Sequence, residues 1–156
     1  MLSSQISAYR LSLQQKHLWM LQQDGSSYVS QIALRLRGTL KAELLRQGAA
    51  ELVHRHQILR SRFIHLSGLK VPCQSVADDL DPGWQSHDWA GLSRSEQQLQ
   101  LEQLMREESA RQFDFESGPL LHFILAKLSD EEHLLLFTLS SMVADSVTLI
   151  NLVEGL

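Results

Sequence analysis

The chain has 156 residues, of which 44% are hydrophobic and 21% charged, with only 8 Gly and 3 Pro, so it has room for one packed domain or one lobe of a larger unit and is neither disordered, collagen-like nor low in complexity. Its 14 Lys and Arg against 18 Asp and Glu leave a net charge of −4, which provides no electrostatic footprint for nucleic acid or an anionic membrane surface. The single Cys73 can form no internal disulfide and no cysteine cluster exists for zinc, so the sequence predicts no metal centre and a reducing, cytoplasmic setting.

Met1 to Arg10 lacks the apolar core of a signal peptide, and the longest apolar run, Leu134 to Leu139, is strand-sized rather than the roughly 18 residues that span a bilayer. From Ser12, read as an N-cap, Leu13, Leu18, Trp19 and Leu21 recur at helical offsets until Asp24-Gly25-Ser26-Ser27 ends the pattern. Tyr28 to Arg37 then alternates Ile32, Leu34 and Leu36 with polar or small neighbours, which predicts a half-buried strand ended by Gly38. Thr39 is placed to cap a helix over about Lys41 to His56, with Leu44, Leu45, Ala49, Leu52 and Val53 on one stripe. Leu59 to Leu66 and Val71 to Val76 read as a hairpin turning at Ser67-Gly68.

Asp78 to Trp89 reads as a mobile loop ending in a short extended piece. Ser93 with Glu96 makes a capping box for a mostly solvated helix to about Gln112, whose apolar side is Leu99, Leu101, Leu104 and Met105. Two central apolar strands follow, Leu120 to Leu128 and His133 to Leu139, about the turn Ser129 to Glu132. Asp145 to Leu156 closes the chain in helical register, and no repeat is visible. The order predicts a mixed α/β layer sandwich over 1–156.

Three stretches carry a resemblance. Ser12-Leu13-Gln14-Gln15-Lys16-His17-Leu18-Trp19-Met20-Leu21 is similar to S-x-A-Q-x-R-L-W-x-L, with Gln14 and His17 replacing Ala and Arg. Arg55-His56-Gln57-Ile58-Leu59-Arg60-Ser61-Arg62-Phe63 is close to R-H-E-x-L-R-T-x-F. Phe113-Asp114-Phe115-Glu116-Ser117-Gly118-Pro119-Leu120-Leu121, followed by Leu139-Ser140-Ser141-Met142-Val143-Ala144-Asp145-Ser146, aligns with F-D-x-x-x-G-P-L-L and M-H-H-x-x-x-D-G. Together they resemble the N-terminal lobe of the condensation domains of nonribosomal peptide synthetases, which have the chloramphenicol-acetyltransferase-like fold. The resemblance implies a mixed-sheet lobe, and partner carrier proteins whose phosphopantetheine arms bring donor and acceptor to a tunnel between two lobes. It also makes Arg60 the partner of Asp145, and places Arg55, His56 and Ser146 in the structural part of the motifs.

The departures carry the functional expectation. Ser140 and Ser141 stand where that family has two histidines, and Ser146 where it has glycine. The second histidine is thought to assist amine attack on a thioester, a task suited to an imidazole titrating near pH 6.5. A hydroxyl only donates and accepts hydrogen bonds there, and losing a positioned acid–base group removes on the order of 10²- to 10⁴-fold in rate. A chain offering one wall of the tunnel also forfeits the orientation of two reactants. The expectation is a truncated, catalytically silent condensation-like domain with a structural or docking role, set against adenylation or carrier domains, a complementary C-terminal lobe, or a second copy meeting it through an exposed apolar face. The alternatives are half of an active condensation domain that forms amide or ester bonds when complemented, and an acyltransferase acting on soluble thioesters.

Other residues read blandly. Ser141 as a nucleophile would need a base such as His17 or His56 brought to it by the fold. His54, His56 and His65 read as surface or helix-end residues rather than ligands. Trp19, Trp84 and Trp89 read as packing anchors, and Cys73 as a bystander. Glu107, Glu108 and Arg111 read as a solvated helix face with charge pairs.

Overall fold

A computed structural model describes residues 7–154. Its elements, in chain order, are strand β1 (Ala8–Arg10), helix α1 (Leu13–Leu21), strand β2 (Val29–Arg37), helix α2 (Ala42–Arg55), strands β3 (Ser61–Ile64), β4 (Cys73–Val76) and β5 (Gly83–Asp88), helix α3 (Arg94–Ser109), strands β6 (Leu121–Ser129) and β7 (Glu132–Ser140), and helix α4 (Ser146–Val153). Short 3-10 turns follow α1 and α2.

Local chemistry accounts for the starts of α1 and α3. Ser12 Oγ accepts the Gln15 N–H at 3.1 Å while Gln15 Oε1 accepts the Ser12 N–H at 3.0 Å, a reciprocal box that satisfies two orphan donors of α1. Ser93 and Glu96 do the same for α3. Gly25 and Gly68, at φ +88° and +86°, make the left-handed turns that end the α1 segment and link β3 to β4.

A four-stranded sheet in the order β2-β7-β6-β5 forms the centre, and a three-stranded antiparallel sheet in the order β1-β4-β3 lies apart from it. β6 and β7 are the inner strands, as their sequences predict, because both of their faces are greasy. Phe123, Leu125, Leu135, Phe137 and Leu139 enter the larger core with Leu52 and Val53 of α2, Phe63 of β3, and Leu149 and Leu152 of α4. Ile124, Ala126, Leu134 and Leu136 pack on the opposite face with Trp89 and Leu104. Phe123 and Phe137, register partners, stack with ring centroids 4.2 Å apart.

Four expectations are corrected. Lys41, not Thr39, is the N-cap of α2 and makes no side-chain cap bond. The Leu44 and Leu45 amides instead donate to the Lys41 carbonyl. The segment from Asp78 to Trp89 is not merely a loop: β5 pairs in parallel with β6 along its whole length, Gly83 opposite His122 and Asp88 opposite Lys127. Leu99 does not join the apolar side of α3 and is 63% exposed. Glu108 is not on a solvated face: it is buried against the inner strand β6 through His122.

Candidate functional site

The candidate site lies where β7 ends and α4 begins. Ser140 N–H donates to the Leu120 carbonyl and Ser141 N–H to the Tyr28 carbonyl, both at 2.9 Å, so the serine pair is anchored to the chain on either side of β7. The turn closes on itself through Val143 N–H to the Ser140 carbonyl at 3.0 Å and Met142 N–H to Ser140 Oγ at 3.2 Å. Ser140 is thereby a buried structural hydroxyl. Ser141 is half-buried and opens on a cleft of about 310 Å³, which it lines with Gln14 and Leu18 of α1, Asp145, and Thr148 of α4.

Asp145 is the N-cap of α4. Its Oδ1 accepts the Thr148 N–H and the Thr148 hydroxyl, each at 2.8 Å, and those two donors, the N–H first, hold its carboxyl below the usual value. A charged carboxylate at the start of α4 also faces the positive end of the helix dipole. The first and third motifs meet directly here: Gln15 Nε2 of α1 donates to the Met142 carbonyl at 3.2 Å.

The expected Arg60–Asp145 pair is not formed. Arg60 closes the turn before β3, and its Nη1 donates to the Ala77 carbonyl and, at 2.9 Å, to the Asp78 carbonyl. Ala77 N–H in turn donates to the Arg60 carbonyl at 2.9 Å. Nη1 of the guanidinium is thus held by the chain leaving β4, while Oδ1 of Asp145 accepts from Thr148.

Arg55 is the exposed last residue of α2. His56 follows as its half-buried C-cap, and its N–H donates to the Leu52 carbonyl at 3.1 Å. Ser146 is the first residue of α4. Neither His17 nor His56 lines the cleft; His17 borders a separate apolar groove with Leu13, Gln14, Leu18 and Leu21. Among the described residues neither of these histidines is therefore placed to act as the base that a serine nucleophile at position 141 would require.

Among the described residues no group of three His, Cys, Asp or Glu side chains is placed to hold a metal ion, and no helix is long and apolar enough to cross a membrane. His65 lies 3.2 Å from Glu116 and edge-on to Trp19. Periodicity gives no sign of one further buried cluster: Glu108 accepts from Arg111 Nε at 2.8 and 2.9 Å and lies 3.0 Å from His122 Nδ1. His122 lies on the inner strand β6, which is buried on both faces, and that placement rather than any alternation is the signal for its burial.

The Condensation domain family model matches residues 5–156. The chain belongs to the condensation-domain family. It is 36% identical over 139 residues to malpinin synthetase of Mortierella alpina, a match that covers 86% of this chain, and 30% identical over 125 residues to bacitracin synthase 1 of Bacillus licheniformis, a match that covers 80%. In each case the match spans 2% of the relative's own length.

The first condensation domain of the calcium-dependent antibiotic synthetase, solved with a substrate analogue, matches with a TM-score of 0.83 at 20% identity, over 96% of this chain and 36% of that one. The starter condensation domain of rhizomide synthetase matches with a TM-score of 0.83 at 16% identity, over 96% of this chain and 37% of that one. These structures establish the condensation fold, and with it the mixed-sheet architecture. Within that fold Ser140 ends the inner strand β7, and Ser141, the next residue, lines the cleft between α1 and α4.

Proposed function

We propose that the chain serves as the N-terminal lobe of a condensation domain in nonribosomal peptide synthesis, and that its centre is silent. The observation that carries this reading is the chemistry of the cleft: Ser141 stands at the histidine position and, among the described residues, no histidine lines the space around it. Peptide-bond formation between carrier-bound substrates needs the attacking amine to be placed and its developing charge or proton to be accommodated. Ser141, Gln14 and Thr148 offer hydrogen bonds, and Asp145 spends its Oδ1 on the α4 cap. None of these groups exchanges a proton near neutrality as an imidazole does.

The relatives that the chain matches are peptide synthetases, which supports carrier proteins with phosphopantetheine arms, and neighbouring adenylation domains, as partners. The role left to a silent lobe is structural: α1 and α4 flank the cleft and present Leu13, Met20, Val147 and Ile150 to solvent, each more than half exposed. A complementary C-terminal lobe would cover that apolar surface, as the partial coverage of the solved condensation domains suggests.

The test compares the lobe as it stands with Ser141→His, each supplied with a complementary lobe and with donor- and acceptor-loaded carriers. We expect Ser141→His to form product faster by about 10²-fold or more, the typical contribution of a positioned acid–base group. A wild-type rate equal to that of the histidine variant would contradict the reading.

A further inference from the structure

We propose that Gln15 and Gln74 are positioning residues: together they form an amide relay that transmits the placement of the small sheet to the turn carrying Ser141. The proposal deepens the reading of this site and rests on its location there, but not on whether the site condenses anything.

The relay begins at Ser61, the fully buried first residue of β3. Gln74 Nε2, on the middle strand of the small sheet, donates to Ser61 Oγ at 2.8 Å. Gln74 Oε1 accepts from Gln15 Nε2 at 3.0 Å, and the same Gln15 nitrogen donates to the Met142 carbonyl at 3.2 Å. Gln15 Oε1 accepts the Ser12 N–H at 3.0 Å. These residues come from all three sequence motifs, and Gln74, which lies in none of them, is the joint.

The arrangement has one polarity. A side-chain amide donates through nitrogen and accepts through oxygen. Because Ser12 N–H must meet an oxygen and the Met142 carbonyl must meet a nitrogen, the Gln15 amide can face only one way. Its two N–H groups are both used, and its orientation then fixes which end of Gln74 it meets. Ser61 completes the line without a competing requirement, since a hydroxyl both donates and accepts.

Among the described residues the turn has two holds from outside its own loop that reach Ser141 and Met142: the Tyr28 carbonyl on one side and Gln15 on the other. The bond from Val143 N–H to Ser140 shapes the turn internally and does not fix it to the body. Met142 is 2% exposed, so removing Gln15 leaves a buried carbonyl without its donor, which is costlier than losing the same bond at a surface. Removing Gln74 takes away the acceptor of the second Gln15 N–H, so the Gln15 amide, its direction still set by Ser12 and Met142, is held less tightly, and the effect arrives at the turn although Gln74 does not touch it.

Amide hydrogen exchange on the full chain tests this. In Gln15→Ala and in Gln74→Ala, the amides of Val143 and Ala144 should exchange about tenfold faster than in the wild type, the order expected for one lost hydrogen bond to a buried group. The amides of Leu134 to Leu136 should be unchanged. Gln74→Glu should restore wild-type protection, because a carboxylate still accepts from Gln15 Nε2 and the Ser61 hydroxyl can reverse to donate to it. Unaltered protection of the turn in Gln74→Ala, equal effects of Gln74→Ala and Gln74→Glu, or a loss of protection that spreads through Leu134 to Leu136 would each overturn the proposal. None of these outcomes bears on the silence of the centre, which the condensation assay decides separately.

Discussion

At position 141 one hydroxyl faces the cleft that a neighbouring pair of helices builds, and its neighbour Ser140 is spent on the turn itself. A second residue-scale feature is the buried carboxylate Glu108. Burial pushes this carboxyl up, but the hydrogen bonds and positive charge of His122 and Arg111 outweigh it and hold the value at about 2. A folded-state value below the unfolded value of about 4.3 means that the stabilisation is complete above roughly pH 4.3 and is lost as the pH falls through about 2. Urea midpoints measured across that window should therefore fall more in the wild type than in Glu108→Gln, by on the order of 2–3 kcal/mol in unfolding free energy. Equal slopes for the two proteins would contradict the assignment. The difference between Asp145 and Glu108 shows what a sequence discloses at this scale. The cap of Asp145 is a local event, three residues long, and is readable. The burial of Glu108 depends on His122, a residue on β6 that no helical periodicity reports, and the partner of Arg60 is a pair of carbonyls beyond β4, which leave no trace in side-chain identity.

Elements with a repeating pattern were the legible ones. β2 alternates because one face is wet, β6 and β7 are greasy throughout because both faces are covered, and α1 and α3 begin at capping boxes whose residues lie three apart. β5 was legible only as a short extended piece at the end of a loop, because Gly83-Trp84-Gln85-Ser86-His87-Asp88 alternates nothing; its place in the sheet comes from a parallel partner far along the chain. Gly83 is the residue that permits the pairing. A Cβ there would lie 3.0 Å from His122 Cδ2 and 3.2 Å from the Leu121 carbonyl oxygen, and the second of these is backbone that can yield only if the strand moves. Gly83→Ala should cost about 1–3 kcal/mol through overpacking, whereas Gly91→Ala, where an added Cβ meets nothing within 4 Å, should be close to neutral. Thermal unfolding of the two variants side by side checks the contrast, and equal melting temperatures would refute the role given to Gly83.

At the scale of the whole molecule, the chain keeps the part of the condensation fold that it covers, and on the proposed reading a hydroxyl stands where that fold's second histidine would work. The larger core, the end of β7 and the cap of α4 meet at the turn 140–145, so Ser141 is set in an ordered frame. The outline of that frame was legible in three short motifs, whereas the relay that joins them was not, because Gln74 lies outside every motif and contacts its partners only in the folded chain. The most direct measurement is single-turnover product formation from loaded donor and acceptor carriers, with a complementary lobe present, for the wild-type chain and for Ser141→Ala. The account predicts no product above background from either protein. Product from the wild type that disappears in Ser141→Ala would show that the hydroxyl is catalytic and would contradict it.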